Sequence, residues 1–416
     1  MFPGSFASYG QRFVLFIVIL CLATPMSAGG DADRNAAADP ATPQAANSAT
    51  PPAAAPPGQG QKARQNTADA LHADTQLFPP GIAATSLAAN LNGSGSTLVS
   101  PALKIWQQEF GKLAPKVRIN YQAGGSGQGR GDLLTGKTEF GVSDVQLSAD
   151  EAQKTGHKLE DYLQIPATLA AIVLIYNLPD VPELHLSPQV LGDIYTGNIK
   201  KWNDQKIKQD NPEANLPDRE IKFAVRADSS GTSEVFVTYL SAVSPDFKAK
   251  IGKPSGTPKW ENVNINVTAA SGNDGIAGLV KQSEGSLGYT EIAFAMQNKL
   301  RYATLKNRAG NFVKPSLETM SAAAESVKPD ANLKVNLVDQ PGQNAYPITT
   351  TTYFLLNQQY KNKAQGQAVV AFAWFALHQG GEMAKRANYA PLPEELRQQV
   401  EDKLNSVIAG GTTPGR

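Results

Sequence analysis

Strand-like and helix-like segments alternate along this chain after about Ser86. Apolar residues recur at every second position in one group of segments, which is the period of a half-buried strand, and at the spacing of one helix face in the other. This alternation predicts α/β layers with largely parallel sheets. The predicted strands are Val117–Tyr121, Leu169–Leu178, Ile221–Val225 and Tyr353–Leu356, and the predicted helices are Pro101–Leu113, Gln189–Tyr195, Ser233–Val243 and Gln367–His378.

The N-terminal part of the chain lacks this alternation. Arg12 precedes an apolar run that is too short for a good membrane span and is followed by small residues, so residues 1–28 are predicted to be an export signal. Lipid attachment at Cys21 is the alternative, although Leu20 is bulky where a small residue is expected. Residues 29–85 are predicted to form a disordered tether, because their Ala, Pro and Gln residues offer little apolar surface to bury.

Composition limits the classes of function. The 416 residues include 38 basic and 37 acidic ones, and the formal charge of +1 argues against nucleic-acid binding driven by bulk electrostatics. Cys21 is the only cysteine, so the rest of the chain can form neither a disulfide nor a thiolate metal site. The four histidines show no metal-ligand spacing. We therefore expect neither a metal nor another cofactor.

Three loops rich in Gly, Ser and Thr adjoin predicted strand ends or helix starts. They comprise residues 93–97, 124–131 and 226–233. The first N–H groups of a helix have no internal acceptor and attract anions, and hydroxyl groups and an arginine add further donors. Each loop alone also fits an ordinary turn or helix cap. Together the three loops predict a single polyanion site built from several helix starts.

The motifs of this chain resemble those of the periplasmic phosphate-binding proteins of high-affinity phosphate ABC importers. The matching segments keep the family's order from about Asn92 to about Val407, and the most specific are Phe-Gly-x-Ser-Asp at 140–144 and Arg-Ala-Asp-x-Ser-Gly-Thr-Ser at 226–233. The resemblance implies an α/β, two-lobed periplasmic binding protein fold of type II. Each lobe is then a mainly parallel sheet flanked by helices, with the ligand in the cleft between the lobes.

The resemblance also implies where the lobes begin and end. The chain of this family crosses between lobes twice, which by position falls near Ala170–Tyr176 and Tyr346–Thr352. Lobe I is then expected to comprise residues 86–170 and 346–416, and lobe II residues 171–345.

A function and its partners follow from the same resemblance. The protein is expected to bind inorganic phosphate in the periplasm and to deliver it to the membrane channel and ATPase subunits of the importer. It is expected to be a monomer with no enzymatic activity and no nucleic-acid partner. The alternatives are phosphatase activity on the same scaffold and a surface interaction protein that uses the tether. A phosphatase usually needs an activated nucleophile or metal ligands, and the sequence shows neither constellation.

The residues that would hold phosphate are also implied by the resemblance. Ser96 and Leu98 are expected to act through backbone atoms, and Asp228 to orient Arg226. Asp144 is the candidate acceptor for a P–OH proton, and it would exclude sulfate, which brings no proton. Without the resemblance, Asp144 and Arg226 also fit a solvated turn acid and a surface ion pair. The implied phosphate-binding residues are Ser96, Thr97, Leu98, Ser126, Asp144, Arg226, Ser230, Gly231 and Thr232.

Overall fold

Two groups of parallel strands, joined by two long antiparallel strands, form the main sheet of the molecule. The computed structural model describes residues 77–325 and 327–410 of the chain. The strands in these residues are β1 (Ala89–Gly95), β2 (Val117–Ala123), β3 (Phe140–Ser143), β4 (Tyr162–Tyr176), β5 (His185–Leu186), β6 (Lys222–Arg226), β7 (Val267–Ala270), β8 (Ser286–Glu291), β9 (Arg301–Tyr302), β10 (Thr304–Lys306), β11 (Phe312–Val313) and β12 (Thr349–Asn357).

The main sheet has the strand order β2-β1-β3-β12-β4-β8-β6-β7, and β9 pairs with β4. One half is built on β1, which runs parallel to β2 and β3, and the other on β6, which runs parallel to β7 and β8. The antiparallel strands β12 and β4 lie between the halves. Strands β5, β10 and β11 form a separate sheet. Each half therefore places the carboxyl ends of its parallel strands at a common edge.

Strand β4 passes from one half of the sheet to the other. It pairs with β12 as far as Ala171 and with β8 from Ile172 onward. All 15 of its residues are buried, as expected for a strand that is covered on both faces. The strand begins seven residues before the predicted start at Leu169, because its polar residues interrupt the apolar run. Gln164 bonds to the Leu147 backbone and Thr168 to the backbone of a later loop, so burial leaves them paired.

Helices cover the sheet on both sides of this crossing strand. The most buried is Lys363–Leu377, which packs against β1 and against three other helices. No helix among residues 77–325 and 327–410 is long and apolar enough to cross a membrane. The helices are α1 (Ser100–Leu113), α2 (Ser126–Leu134), α3 (Ala149–Lys154), α4 (Pro188–Tyr195), α5 (Gln205–Asp210), α6 (Gly231–Val243), α7 (Pro245–Ile251), α8 (Gly272–Gln282), α9 (Ile292–Gln297), α10 (Leu317–Ala324), α11 (Lys363–Leu377), α12 (Gln379–Ala384) and α13 (Glu394–Gly410).

The glycine-rich run at 124–131 is a helix for most of its length, whereas the sequence predicted a loop. Helix α2 begins at Ser126. A side chain at Gly129 would place its Cβ 2.7 Å from the Gly95 Cα and from the Val142 carbonyl oxygen. A glycine in a helix interior is less favourable than an alanine by about 1 kcal/mol. Because it has no side chain, however, it allows α2 to lie in close contact with β1 and β3. Tertiary packing therefore decides the conformation of this run.

The folded part of the chain begins earlier than the sequence suggested. Residues 77–85 were assigned to the tether, yet the ring of Phe78 lies 5.9 Å from that of Phe110, centroid to centroid. Ile82 belongs to the buried core, and a 3-10 helix follows at Ala84–Ser86. Phe78 and Ile82 alone do not form a periodic pattern, so the sequence did not predict this contact. The predicted export signal and the predicted tether up to residue 76 lie outside the described residues, as does Cys21.

Replacing Phe78 by Ala is expected to lower the stability of the fold. The ring is partly buried against the core, so its loss should lower the free energy of unfolding by about 1–3 kcal/mol. Thermal unfolding followed by circular dichroism measures this. Met296→Ala is the matched control, because Met296 is 49% exposed and its truncation should leave the midpoint unchanged. An unchanged unfolding midpoint in Phe78→Ala would mean that residues 77–85 belong to the predicted tether and not to the folded core.

Candidate anion-binding site

The residues implied by the motifs meet at the carboxyl ends of the parallel strands. Thr97 follows β1 by two residues, Asp144 follows β3 directly, and Arg226 is the last residue of β6. Ser126 begins α2, and Ser230 is the N-cap of α6. Ligands of open α/β sheets bind at these strand ends, where helix starts also converge. The topology therefore brings residues from three separate loops to one place.

Arg226 lies in the interior of the site, with its side chain only 1% exposed. Its Nε donates to Asp228 Oδ1 over 2.8 Å, and its Nη2 donates to Asp228 Oδ2 and, over 3.1 Å, to Thr97 Oγ1. Burial alone would raise the pKa of Asp228, but Arg226 lowers it below its usual value. The surface ion-pair interpretation is therefore wrong, and Asp228 holds two nitrogens of the buried Arg226 guanidinium.

One nitrogen of this guanidinium is left without a partner. Arg226 Nη1 is buried and makes no hydrogen bond in the described part of the protein. A buried donor without an acceptor costs about 1–3 kcal/mol, and more when the donor is charged. The other two nitrogens hold the plane of the guanidinium fixed. Nη1 is therefore positioned to donate to a ligand oxygen.

Asp144 is the carboxylate of the site and is 3% exposed. Its Oδ1 accepts from Ser96 Oγ over 2.5 Å and from Thr352 Oγ1 over 3.1 Å, and its Oδ2 accepts from Ser126 Oγ over 3.2 Å. Burial raises the pKa of Asp144 above its ordinary value, although the hydrogen bonds and the charge of Arg226 offset part of this rise. The solvated turn interpretation is therefore wrong. A buried carboxylate with a raised pKa suits an acceptor that shares a proton with its ligand.

The start of helix α6 supplies backbone donors. Ser230 Oγ accepts the N–H of Ser233 over 3.1 Å, which caps the helix. Gly231 and Thr232 are the first two residues of α6, so their N–H groups have no acceptor within the helix. A Cβ at Gly231 would lie 2.3 Å from Ser126 Oγ and 2.8 Å from Asp144 Oδ2. Any larger residue there would fill the site.

The Thr97 hydroxyl accepts hydrogen bonds from both Arg226 and Asn273. Its Oγ1 accepts from Arg226 Nη2 over 3.1 Å and from Asn273 Nδ2 over 2.9 Å. Both partners are donors, so the single hydroxyl proton must point elsewhere. Thr232 Oγ1 accepts from the same Asn273 amide over 3.4 Å. The two threonines are thus oriented together by one buried side chain.

The backbone groups of Ser96 and Leu98, through which these residues are expected to act, already make hydrogen bonds within the protein. The Ser96 N–H donates to Val142 O over 2.8 Å, and its carbonyl oxygen accepts from the Tyr121 hydroxyl over 2.8 Å. The Leu98 N–H donates to Ser96 Oγ over 3.0 Å, because α1 starts only at Ser100. Ser96 therefore acts on Asp144 through its hydroxyl, and Leu98 lies beside the site with its N–H engaged.

Two residues of the site were missed from the sequence. Asn273, in the first turn of α8, links Thr97 and Thr232, and its Oδ1 accepts from the Glu291 N–H over 3.0 Å. Thr352, in β12, donates to Asp144. Both lie within the stretch from about Asn92 to about Val407 that resembles the family, but nothing in their local pattern distinguishes a polar side chain that faces the site.

A cleft of about 830 Å³ adjoins the site. Asp144 and Ser229 line it, together with residues from α6 and β12 and the exposed side chains of Lys253 and Lys334. The cleft therefore reaches the buried carboxylate of the site.

The described residues show no metal-binding cluster at the site, and the described histidines lie outside it. Among the residues that the structure describes, no group of three His, Cys, Asp or Glu side chains is arranged to hold a metal ion. The histidines of this part of the chain lie beside carboxylates outside the site, namely Asp161, Glu183 and Glu401. His72 lies outside the described residues.

Comparison with known proteins agrees with this architecture. Residues 51–378 match the PBP superfamily domain, the class of protein to which this fold and site belong. The phosphate-binding protein PstS of Xylella fastidiosa (strain Temecula1 / ATCC 700964) is 34% identical over 340 residues, which cover 81% of this chain and 90% of that protein. PstS of Pasteurella multocida (strain Pm70) is 35% identical over 330 residues, covering 78% and 93%. The chain belongs to this family of phosphate-binding proteins, and the resemblance seen in the motifs is confirmed.

A solved structure of the same fold completes the comparison. The high-affinity periplasmic phosphate-binding protein PfluDING, bound with phosphate at pH 8.5, aligns with a TM-score of 0.61 at 22% identity. The alignment covers 76% of this chain and 93% of that one. At this identity the likeness concerns the fold alone. The predicted two-lobed α/β fold is thus confirmed, whereas the bounds of the two lobes stay a prediction.

Proposed function

We propose that this protein binds inorganic phosphate in the periplasm and delivers it to the membrane subunits of an ABC phosphate importer. One observation carries the proposal: a guanidinium nitrogen that has no partner among the described residues and a buried carboxylate belong to one cluster of hydroxyl and helix-start donors. The names of the relatives, phosphate-binding proteins from several bacteria, support the choice of phosphate.

Phosphate matches this mixture of donors and one acceptor. At neutral pH it carries one or two protons, so it presents both bare oxygens and a P–OH group. In the proposed complex Arg226 Nη1, the Thr97 hydroxyl and the N–H groups of Gly231 and Thr232 donate to the bare oxygens. Asp144 accepts from the P–OH. Sulfate has no proton at this pH, and its complex would contain two acceptors that face each other without a hydrogen atom.

The remaining site residues support these contacts. Ser126 and Ser230 lie against the same space, and in the proposed complex their hydroxyls adjoin the anion while Ser230 keeps its cap on α6. Ser96 holds the Asp144 carboxylate in place. Leu98 reaches the anion only if its N–H leaves Ser96 Oγ.

The anion would bridge the two lobes. With lobe I at 86–170 and 346–416 and lobe II at 171–345, Thr97 and Asp144 come from the first lobe, and Arg226 and the start of α6 from the second. Direct bonds already join these groups, such as Thr97 to Arg226 over 3.1 Å and the Gly127 N–H to Ser229 O over 3.0 Å. Bound phosphate adds further bonds across the same boundary and favours a closed arrangement.

Location and partners follow from the family. We place the protein in the periplasm, exported through residues 1–28 and working as a monomer with the channel and ATPase subunits of the importer. Binding without turnover is favoured over phosphatase activity, because the hydroxyl of Ser230 accepts a hydrogen bond from its own helix. The described histidines pair with other carboxylates, so none is seen next to this serine as a base.

Calorimetric titration of the mature chain with phosphate tests the proposal. We expect saturable binding of one phosphate per chain and no release of phosphate from a phosphomonoester over hours. Absence of any phosphate binding would contradict the proposal, and steady metal-free turnover of the ester would favour the phosphatase instead.

Phosphate should also make the protein more compact. Because the donors of one lobe and the acceptor of the other hold the same ligand, saturating phosphate shifts the population toward the closed form. Small-angle X-ray scattering should report a smaller radius of gyration with phosphate than without it. Identical scattering profiles would show that the anion does not bridge the lobes.

A further inference from the structure

Glu291 is a fully buried acid next to the anion site that the proposed binding does not use. It is the last residue of β8 and the N-cap of α9, and its side chain is 0% exposed. Its Oε2 accepts the Ala293 N–H over 2.9 Å and lies 2.9 Å from the Tyr389 hydroxyl. Among the residues that the structure describes, no hydrogen-bond partner is found for its buried Oε1.

Tyr389 makes two short contacts with oxygen atoms, and an ionised Glu291 would leave only one proton for both of them. The hydroxyl oxygen of Tyr389 lies 2.7 Å from the Leu98 carbonyl oxygen and 2.9 Å from Glu291 Oε2. A phenol has one proton and can donate to only one of these two oxygens. A carbonyl oxygen never donates, so the second short contact needs a proton on Glu291. A bare, buried Oε1 is likewise far less costly on a neutral acid than on a carboxylate.

We propose that Glu291 is a neutral carboxylic acid that donates to Tyr389 and thereby fixes the Leu98 peptide at the anion site without adding a negative charge there. The inference rests on the proposed function, because it concerns the same site. The Tyr389 hydroxyl then donates its hydrogen bond to the Leu98 carbonyl oxygen. The two hydrogen bonds therefore run in one direction, from Glu291 to Tyr389 to Leu98.

The electrostatic surroundings agree with a neutral Glu291. Burial raises the pKa of Glu291 well above its ordinary value, and the Asp144 carboxylate adds to this rise, whereas the backbone N–H groups of Ala293 and Ile292 offset part of it. Burial also raises the pKa of Tyr389, which therefore keeps its proton. In the described part of the chain, Asp144 and Tyr389 are the titratable groups that interact with this acid. An ionised Glu291 would repel both Asp144 and an incoming anion.

Glu291→Gln separates the neutral from the ionised form. Glutamine has the same size and is never charged, and its amide can donate to Tyr389. An amide nitrogen in the place of Oε2 cannot accept the Ala293 N–H, so the variant loses the cap of α9 but keeps the bond to Tyr389. If Glu291 is neutral, the variant should bind phosphate within about twofold of wild type. If Glu291 is ionised, the variant removes a repulsive charge and should bind about tenfold more tightly or better, which would overturn the proposal.

Infrared difference spectroscopy reads the proton directly. The spectrum of wild type minus Glu291→Gln at neutral pH should contain the carbonyl stretch of a protonated carboxylic acid. A difference that contains only a carboxylate band would overturn the proposal. This measurement needs no ligand, so it remains decisive even if the protein fails to bind phosphate and the proposed function is wrong.

Tyr389→Phe tests the positioning of Leu98. The variant removes the hydroxyl that joins Glu291 to the Leu98 carbonyl, and we expect phosphate affinity to fall by about three- to tenfold, the worth of one buried hydrogen bond. The matched control is Tyr360→Phe, since Tyr360 is partly buried and its hydroxyl also donates to a backbone carbonyl, that of Glu139 at the other end of β3. Equal affinity in both variants would show that Tyr389 has no positioning role.

Discussion

Arg226→Ala should reduce phosphate affinity by about 2–5 kcal/mol, the usual loss for truncating one partner of a buried, charge-assisted contact. The change removes the free Nη1 donor and also the Nη2 bond to Thr97. It further leaves Asp228, which is half-buried, without its cation, and the uncompensated carboxylate would then face the anion. Titration calorimetry of the variant against wild type measures the loss.

Arg226→Lys refines this expectation. A lysine restores the positive charge but not the planar fork that bonds Asp228, Thr97 and the ligand at once, so only part of the affinity should return. Arg301→Ala is the matched control for general damage, because Arg301 also donates to several protein oxygens, but at the backbone of residues 178–181. It should bind phosphate like wild type. Near-wild-type affinity in Arg226→Ala would mean that the anion lies elsewhere.

Asp144→Asn should change selectivity more than it changes folding. The amide oxygen can still accept from a P–OH, so phosphate binding should persist, although weakened. The amide can also turn its NH2 group toward an oxyanion, and the charge that repels sulfate is gone. The phosphate-to-sulfate affinity ratio should therefore fall by at least about tenfold in the variant. Competition at low ionic strength measures it, because salt screens weak anion binding.

Arsenate and a second aspartate provide the controls for this change. Arsenate is protonated like phosphate, so it should bind both wild type and Asp144→Asn. Asp132→Asn alters an aspartate that accepts from Ser94 and Gln128 outside the site, and it should leave the ratio unchanged. An unchanged ratio in Asp144→Asn would show that another group discriminates between the anions.

Much of the fold was predictable where the local pattern and the packing agree. Strand β2 and helix α1 match their predicted ranges within two residues, since their apolar residues alternate or recur cleanly. Helix α6 begins two residues before the predicted Ser233, because the Ser230 cap rather than the first apolar residue sets its start. Helix α2 was not predictable, because contacts with distant strands outweigh the low helix propensity of its glycines. The early start of β4 was not predictable either, because its polar residues are buried in the sheet.

The site divides in the same way. Strand-to-helix junctions identify Thr97, Ser126 and the start of α6 from local sequence, because helix starts offer unpaired N–H groups. The sequence did not reveal that the Ser96 N–H donates to Val142 O, because this bond depends on the pairing of β1 with β3. Asn273 and Thr352 bond to residues more than 170 positions away. Such pairs depend on how the strands are ordered, which no local pattern records.

The central claim is that a buried donor cluster with one carboxylate selects an anion that brings a proton. Titrating phosphate and sulfate side by side into the wild-type protein, by calorimetry at low salt, tests it most directly. A site that leaves a buried acceptor unpaired can reject the wrong ligand by about 10⁴-fold. The account predicts clear phosphate binding with sulfate at least about 10³-fold weaker. Sulfate that binds within about tenfold of phosphate would contradict it.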